Sequence, residues 1–436
     1  MIPNLYTWGG AEILRVCSTD RFKAGALSVS SVIPIDRRTA CMAPLLLSVL
    51  RRGTEKYPTL SAINRRLDYL WGTAFSIRSF YRGNCLVLGF TADLLDPSYL
   101  PSGAEDLTDA VLELMEQLLF HPLLDGDGLL SAKYVESEKE LQCDAIRASK
   151  NNPRAYAAEQ CKAILLENEA GGIPLYGTEE QTLAVTRETL TAFWREWIDS
   201  LHLDCFYVGN CSPNILVEKL ERVFGGRIAR CSIEIPSLCG TPRRGRNLQI
   251  SETMPVSQSQ LLMAYRCNVL INDADSAVCA VLNELLGNSP VSRLFIHVRE
   301  KQSLCYSCAS SYSAYYGTFL IACGLKSENR ERAEREIMEQ IGCIQRGDFR
   351  LEELDAAKKS LENAYRQIED SPSGLEAYYY GRALAGDTSS LADCRNAFAK
   401  VSAEDIVRIA QTLTLDVVYF LEGTLGDGEE YEDEED

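Results

Sequence analysis

The stretch Ser292–Gly317, SRLFIHVREKQSLCYSCASSYSAYYG, carries the most information in the sequence. Its first part has the apolar spacing of a helix, and Arg299 falls near the end of that helix. A strand-like stretch follows, in which Tyr306 stands seven residues after Arg299. An Arg guanidinium and a Tyr hydroxyl that project into one cleft can hold the carbonyl groups of a peptide. Spacing alone favours a simpler interpretation, in which Arg299 makes a surface ion pair and Tyr306 packs in the core.

The same stretch contains Cys305 and Cys308, which form the only CxxC pair of the chain. A zinc site would need a second such pair or histidines at suitable spacing, and the sequence has neither. We therefore expect both residues to pack in a buried or half-buried strand. The other cysteines are scattered through apolar contexts, as Cys85, Cys279 and Cys323 illustrate. This usage predicts free thiols in a reducing compartment.

An internal repeat relates the two halves of the chain. Gly317 stands 234 residues after Gly83, and around each glycine an aromatic arm leads through a turn into an apolar strand. A helix is predicted after each strand pair, at roughly Asp106–Leu119 and Arg330–Ile344. Each half closes on an amphipathic helix followed by a short strand.

This repeated order predicts an α+β protein with two homologous domains, each an antiparallel-rich sheet covered by helices. The first domain spans residues 1–224 and the second spans residues 248–426. Residues 225–247 are rich in Gly, Pro and Arg and are interpreted as the linker. Residues 427–436, DGEEYEDEED, are expected to form a disordered acidic tail.

Composition excludes several classes of function. The chain has 44 Lys and Arg residues against 62 Asp and Glu residues, which gives a formal net charge of −18. A chain this acidic is a poor candidate for binding nucleic acid or an anionic membrane. We find neither a signal-peptide pattern nor an apolar run of about 18–20 residues, so we expect a cytoplasmic protein outside the membrane. The three histidines, His121, His202 and His297, lie too far apart to share a helix turn and are interpreted as structural.

Several stretches together resemble one family, the pitrilysin/insulinase metallopeptidases, which include the mitochondrial processing peptidases. Residues 292–325 resemble the signature of the family's C-terminal domain, and residues 175–210 resemble the segment that closes its first domain. Residues 22–40 and 63–77 resemble a cytosolic bacterial branch. The resemblance implies two α+β domains arranged as a clamshell around a peptide-binding chamber. It also implies that Arg299 and Tyr306 grip the substrate backbone.

The catalytic motif of the family is degenerate in this chain. Active members carry HxxEH, in which two histidines bind zinc and the glutamate acts as general base, and a distant glutamate is the third ligand. The matching residues here are Pro44 and Ser48 in place of the histidines and Leu47 in place of the base. The third-ligand position falls on Ala145, or on Asp144 if the alignment slips by one residue. The resemblance therefore predicts no metal site and no cofactor in this chain.

Three functional hypotheses follow. The first is a non-catalytic subunit that binds peptide and completes the chamber of a two-component zinc peptidase, with an HxxEH-bearing homologue as partner and the zinc in that partner. A homodimer is possible when the chain is isolated. The alternative is a binding or scaffold protein of peptidase ancestry. A third hypothesis is an autonomous peptidase with metal ligands drawn from Asp144, Glu138 and His121.

Overall fold

The computed structural model describes residues 2–9, 12–227, 235 and 237–425. The chain is an α+β protein whose two sheets are mixed, mostly antiparallel and covered by helices, as the repeat predicts. The predicted acidic tail lies outside the described residues, as do residues 228–234 and 236 of the predicted linker. None of the helices in the described part of the chain combines the length and the apolar character needed to cross a membrane.

The first sheet has six strands in the order β1-β2-β6-β3-β5-β4. The strands are β1 Asn4–Trp8, β2 Glu12–Ser18, β3 Ala24–Pro34, β4 Ala74–Arg82, β5 Cys85–Leu95 and β6 Asp204–Gly209. The central strands β3 and β5 are buried along most of their length, because apolar residues face both sides of this part of the sheet. Strand β4 pairs with β5 and forms one edge.

The second sheet has five strands in the order β7-β11-β8-β10-β9. The strands are β7 Leu248–Met254, β8 Ser259–Arg266, β9 Cys305–Ser313, β10 Thr318–Leu325 and β11 Thr414–Gly423. Strands β9 and β10 form the hairpin that the aromatic arm and Gly317 predict, and β4 and β5 form its counterpart around Gly83. Strand β9 lies at the edge of its sheet.

The helices cover these sheets. They are α1 Arg37–Arg52, α2 Leu60–Tyr69, α3 Leu107–Phe120, α4 Ala132–Ala148, α5 Pro153–Leu165, α6 Glu179–Ala184, α7 Arg187–Asp199, α8 Pro213–Phe224, α9 Ser276–Asn283, α10 Arg330–Arg346, α11 Leu351–Ile368, α12 Pro372–Leu384, α13 Leu391–Lys400 and α14 Ala403–Ala410. The widened π-helical turns Glu284–Asn288 and Phe295–Lys301 follow α9. The two helices predicted after the hairpins are α3 and α10, and each begins and ends within two residues of its prediction.

The chain divides into two compact units that exchange one helix each. The first unit comprises Met1–Arg147, Ile173–Ser237 and Ile368–Leu384, and the second comprises the remaining segments, Ala148–Gly172, Leu238–Gln367 and Ala385–Asp436. Helix α12 therefore packs on β3 and β6 of the first sheet, and α5 packs on β8 and β11 of the second. Each sheet is covered in part by a helix that the other half of the sequence supplies, an arrangement that the repeat by itself does not indicate.

Buried polar contacts hold each exchanged helix to its sheet. On α12, the Glu376 carboxylate accepts hydrogen bonds from the Ser28 hydroxyl at 2.8 Å and from Arg78 at 2.7 Å. On α5, the Leu165 carbonyl accepts a hydrogen bond from Arg266, a fully buried residue. The Arg266 Nε also donates to the Asp416 carboxylate on β11 at 2.6 Å. Because an unpaired buried charge costs several kcal/mol, these contacts make the position of each helix specific.

Candidate functional site

Helix α1 carries the residues that the resemblance aligns with the zinc motif. It begins at a capping box in which the Asp36 carboxylate accepts from the Thr39 amide at 2.7 Å and the Thr39 hydroxyl accepts from the Asp36 amide at 2.8 Å. From there the helix buries an almost continuous apolar surface. Pro44 and Leu47 are buried, and Ser48 is half-buried. A side chain that could bind a metal or move a proton is therefore missing at the first histidine position and at the base position.

Pro44 interrupts the backbone hydrogen bonds of α1. Proline has no amide hydrogen, so the Ala40 carbonyl loses its partner within the helix. The Tyr176 amide takes that place and donates to the Ala40 carbonyl at 3.1 Å. The segment before α6 is thus joined to the helix at the turn where active relatives would carry their first zinc ligand.

A glutamine on α4 extends this connection. The Gln142 side-chain amide nitrogen lies 3.2 Å from the Cys41 carbonyl, 3.3 Å from the Tyr176 carbonyl and 3.1 Å from the Thr182 hydroxyl. Gln142 is buried, and one amide group thereby links three segments. Together with the proline, these residues form what we call the proline junction: Ala40, Cys41, Pro44, Gln142, Tyr176 and Thr182.

The backbone beside the proline junction leaves little space for any further group. Gly177 has a φ of 67°, a conformation that glycine adopts without steric cost. A Cβ atom at this position would lie 2.9 Å from the Cys41 Cβ, closer than two such carbons approach. The preceding Tyr176 also has a positive φ, of 76°. This local structure fits the loop tightly against α1.

The third-ligand positions do not supply a ligand either. Ala145 and Asp144 are exposed on α4, and the Asp144 carboxylate pairs with Arg147 at 3.1 Å. Glu138 is buried, but it forms an ion pair with Arg52, one turn beyond Ser48 on α1. Within the described ranges, no group of three or more His, Cys, Asp or Glu side chains is placed to hold a metal ion.

The residues of the autonomous-enzyme hypothesis are each engaged in separate contacts. Glu138 pairs with Arg52, and Asp144 pairs with Arg147. The His121 Nε2 lies 3.1 Å from a Glu116 carboxylate oxygen at the end of α3. The structure does not bring the three residues together as one ligand set.

Arg299 lies in the π-helical turn Phe295–Lys301, near the end of its helix as the sequence predicts. Its side chain is 43% exposed, and its guanidinium carbon sits 4.8 Å from the centre of the Phe295 ring. Its ion pair with Glu300, at 3.7 Å, is long and solvent-exposed, so it stabilises this position little. The guanidinium is therefore held over an aromatic ring while much of it faces solvent.

Tyr306 lies on strand β9, as predicted, but its side chain is 52% exposed. The simpler interpretation, in which this tyrosine packs in the core, is therefore wrong. The register between β9 and β10 explains why Tyr306 is exposed. Leu325 of β10 pairs with Cys305 and Gly324 pairs with Ser307, so Tyr306 is the extra residue of a β-bulge. Such bulges re-aim a side chain and are frequent beside active sites.

The surroundings of Cys305 connect Arg299 to the beginning of β9. Hydrogen bonds from the Cys308 and Cys323 thiols lower the pKa of the Cys305 thiol below the ordinary value of a cysteine, and the positive charge of Arg299 lowers it further. Cys305 is the residue immediately before Tyr306. The guanidinium of Arg299 is thus close to the start of the edge strand on which Tyr306 is exposed.

Comparison with known proteins identifies the family. Residues 184–361 match the family described as the peptidase M16 inactive domain. "Probable inactive metalloprotease YmfF" from Bacillus subtilis is 26% identical over 425 residues, which cover 98% of this chain and 99% of that protein. By these matches the chain is similar to the peptidase M16, or pitrilysin, family of the inactive-domain type. It is a homologue of an inactive M16 metalloprotease.

Solved structures share the M16-like fold over the full length of the chain. A conserved protein from Enterococcus faecalis superposes with a TM-score of 0.88 at 23% identity, covering 97% of this chain and 99% of that one. A peptidase M16 inactive domain from Pseudomonas fluorescens superposes with a TM-score of 0.80 at 16% identity, covering 98% and 99%. At these identities the likeness establishes the fold alone.

Two features of this chain were not predicted from its sequence. The proline junction has one visible signal, a proline in the middle of an apolar helix, but its partners Gln142 and Tyr176 come from distant segments. The bulge at Tyr306 has no signal in the pattern of β9, because it depends on the register with β10. The motif helix α1 is therefore apolar and buried, whereas the segment that carries Arg299 and Tyr306 is polar and exposed.

Proposed function

We propose that this chain is a non-catalytic M16 subunit that binds extended peptides and completes the chamber of a two-component zinc peptidase. An HxxEH-bearing homologue is the partner and supplies the zinc. The observation that carries the proposal is the contrast between the closed, apolar motif helix and the exposed Arg299 and Tyr306 beside an edge strand. The chain has lost the groups that cut a peptide bond and keeps groups that can bind one.

Loss of catalysis follows from the side chains of α1 and α4. Hydrolysis by a zinc peptidase requires a metal-bound water and a base that takes its proton. Pro44 has no donor atom in its side chain, and Leu47 has no titratable group. The proline junction adds a second obstacle, because Tyr176 and Gln142 hydrogen-bond to the backbone of the turn that precedes Pro44.

Peptide binding is supported by the second sheet. Among the described residues β9 pairs with β10 on one side, so its other edge presents backbone N–H and C=O groups. An extended peptide can add to such an edge through main-chain hydrogen bonds. Arg299 offers a guanidinium and Tyr306 a hydroxyl at the same end of β9, and both groups can donate to peptide carbonyls.

The test is reconstitution with an M16 homologue from the same cell that carries HxxEH. The chain alone is expected to contain no stoichiometric zinc by elemental analysis and to leave a fluorogenic peptide library uncut. Addition of the chain to the homologue is expected to raise the rate of cleavage. Arg299→Ala and Tyr306→Phe should each reduce that gain.

Two matched controls separate substrate binding from a general surface effect. Arg366, on α11 with 64% of its side chain exposed, is replaced by alanine, and Tyr99, at 55% exposure, is replaced by phenylalanine. Both controls are expected to support full reconstitution. A mixture that cleaves no faster than the homologue alone would refute the proposal and favour the scaffold alternative. Zinc-dependent cleavage by the pure chain would refute it in favour of the autonomous peptidase.

A further inference from the structure

Three cysteines meet on one face of the β9–β10 hairpin, and we call them the thiol cluster: Cys305, Cys308 and Cys323. Cys308 and Cys323 are direct cross-strand partners. Cys305 pairs with Leu325, which stands two residues after Cys323 and therefore shares its face. The β-bulge brings Cys305 onto that face, because without it residues three apart on a strand would point to opposite sides.

The three sulfurs are in hydrogen-bond contact with one another. The Cys305 sulfur accepts hydrogen bonds from both the Cys308 and the Cys323 thiols, and with help from Arg299 these contacts lower the pKa of Cys305. The same contacts raise the pKa values of Cys308 and Cys323, since both thiols keep their protons to donate them. Cys305 is thus the most acidic thiol of the cluster.

Access distinguishes Cys305 from the other two members. Cys305 is only half-buried, whereas Cys308 is 4% exposed and Cys323 is fully buried. A small oxidant can therefore reach Cys305, and the sulfur that could react with the product lies directly behind it. Cys267 and Cys279 also form a close pair, with their sulfurs 4.0 Å apart. Both residues are buried, so neither thiol is as accessible to an oxidant as Cys305.

We propose that Cys305 and Cys308 form a redox-active dithiol, which a hydroperoxide oxidises to a disulfide. The Cys305 thiolate attacks one oxygen of the peroxide, the O–O bond breaks, and Cys305 becomes a sulfenic acid while water or an alcohol leaves. The Cys308 sulfur then attacks the Cys305 sulfur, the S–O bond breaks, and the hydroxyl leaves as water with the proton of the Cys308 thiol. In total two thiols and one hydroperoxide give one disulfide, one water and one further water or alcohol. Two electrons pass from the sulfurs to the peroxide, and a small dithiol can return them.

The disulfide would close across the bulge. Tyr306 is the extra residue between Cys305 and Ser307, so a bond that draws Cys305 toward Cys308 changes the backbone that aims the tyrosine. Oxidation would therefore weaken peptide binding at this edge strand. This consequence rests on the proposed function, whereas the thiol chemistry does not.

The experiment treats the reduced, full-length protein with hydrogen peroxide and maps the products by peptide mass spectrometry after alkylation of the remaining thiols. Cys211 is the internal control, because it is half-buried like Cys305 but burial raises its pKa. We expect a Cys305–Cys308 disulfide, with Cys305 lost at least about tenfold faster than Cys211. Dithiothreitol should reverse the change.

Three variants locate the chemistry. Cys305→Ser should abolish fast oxidation, and Cys211→Ser should leave it unchanged. Replacement of both Cys308 and Cys323 by serine should allow a sulfenic acid to be trapped at Cys305 with dimedone. The proposal is overturned if Cys305 and Cys211 react at the same rate, or if the disulfide that forms is not Cys305–Cys308. Binding of an extended peptide to reduced and oxidised protein is measured separately. If the disulfide forms but the reduced and the oxidised protein bind the peptide equally well, the dithiol stands and the result counts against the proposed function.

Discussion

Leu47 is the residue that the resemblance aligns with the general base of active members, and its side chain has no exposed surface. It contributes to the core of the first unit. Leucine has no titratable group, so at this position the chain supplies packing and no proton acceptor.

Replacement of Leu47 by glutamate is expected to lower the free energy of unfolding by at least about 3 kcal/mol, because it removes a buried side chain and buries a carboxylate without a partner. Thermal or urea unfolding measures the change. Leu141→Glu is the control, since Leu141 is 50% exposed on α4. That substitution should change stability by no more than about 0.5 kcal/mol. Equal effects at the two leucines would contradict the structure.

The thiol of Cys305 permits a test of its electrostatic surroundings. Hydrogen bonds from Cys308 and Cys323, together with the charge of Arg299, lower its pKa, whereas burial raises the pKa of Cys211. The rate of alkylation follows the thiolate fraction, so the rate at Cys305 should reach its plateau at a pH below the ordinary thiol pKa of about 8.5. The rate at Cys211 should still be rising at that pH. Alkylation with iodoacetamide across a pH series, read by mass spectrometry, checks both profiles.

Arg299→Met should shift the Cys305 profile toward higher pH, because it removes the nearby positive charge and keeps most of the side-chain volume. A Cys305 profile that matches that of Cys211 in the unaltered chain would show that the sulfurs are not arranged as described.

At the scale of elements, the hairpins and the helices after them followed from the sequence because their signals are local. A glycine at each turn and apolar residues at helical spacing are sufficient to place α3, α10 and the two hairpins. The bulge in β9 is different, since the register with β10 determines which residue is left unpaired. The widened turn that carries Arg299 likewise packs against β9 and has no pattern of its own.

The contact between α12 and the first sheet supports a prediction at this scale. Glu376→Ala should lower the free energy of unfolding by about 3–5 kcal/mol, because it leaves Arg78, with only 11% of its side chain exposed, without its partner. Glu362→Ala is the matched control, since Glu362 makes an exposed pair with Arg366. The control should lose no more than about 0.5 kcal/mol. Urea unfolding of both variants decides whether α12 is anchored as described.

At the scale of the whole molecule, the repeat led to two α+β domains, and the two sheets confirm that class. The exchange of α5 and α12 could not be read from the repeat, because each helix looks like a member of its own half in sequence. Its evidence lies in contacts between residues far apart, such as Glu376 with Ser28. The resemblance assigns the motif positions to Pro44, Leu47 and Ser48, but it does not indicate the hydrogen bonds that Tyr176 and Gln142 make to α1.

The exchange predicts that the two halves do not fold separately. Residues 1–247 and residues 248–436, produced apart, should each aggregate or show the broad transition of a loosely packed state, because each lacks a helix that covers its sheet. Mixing the two denatured fragments and refolding them together should restore a cooperative transition. Circular dichroism melts of the fragments and of the mixture provide the measurement. Two fragments that each melt cooperatively at the temperature of the full chain would contradict the exchange.

The position of α12 also has a consequence for biosynthesis. The ribosome makes β3 and β6 long before it makes Glu376, so the Ser28 hydroxyl and Arg78 wait without their carboxylate while most of the second unit is translated. Domains usually fold in order as they emerge, from the N-terminus onward. Here the cover of the first sheet can be completed only after α12 has been made, so until then the nascent chain exposes the part of the sheet at β3 and β6, which a chaperone would be suited to protect.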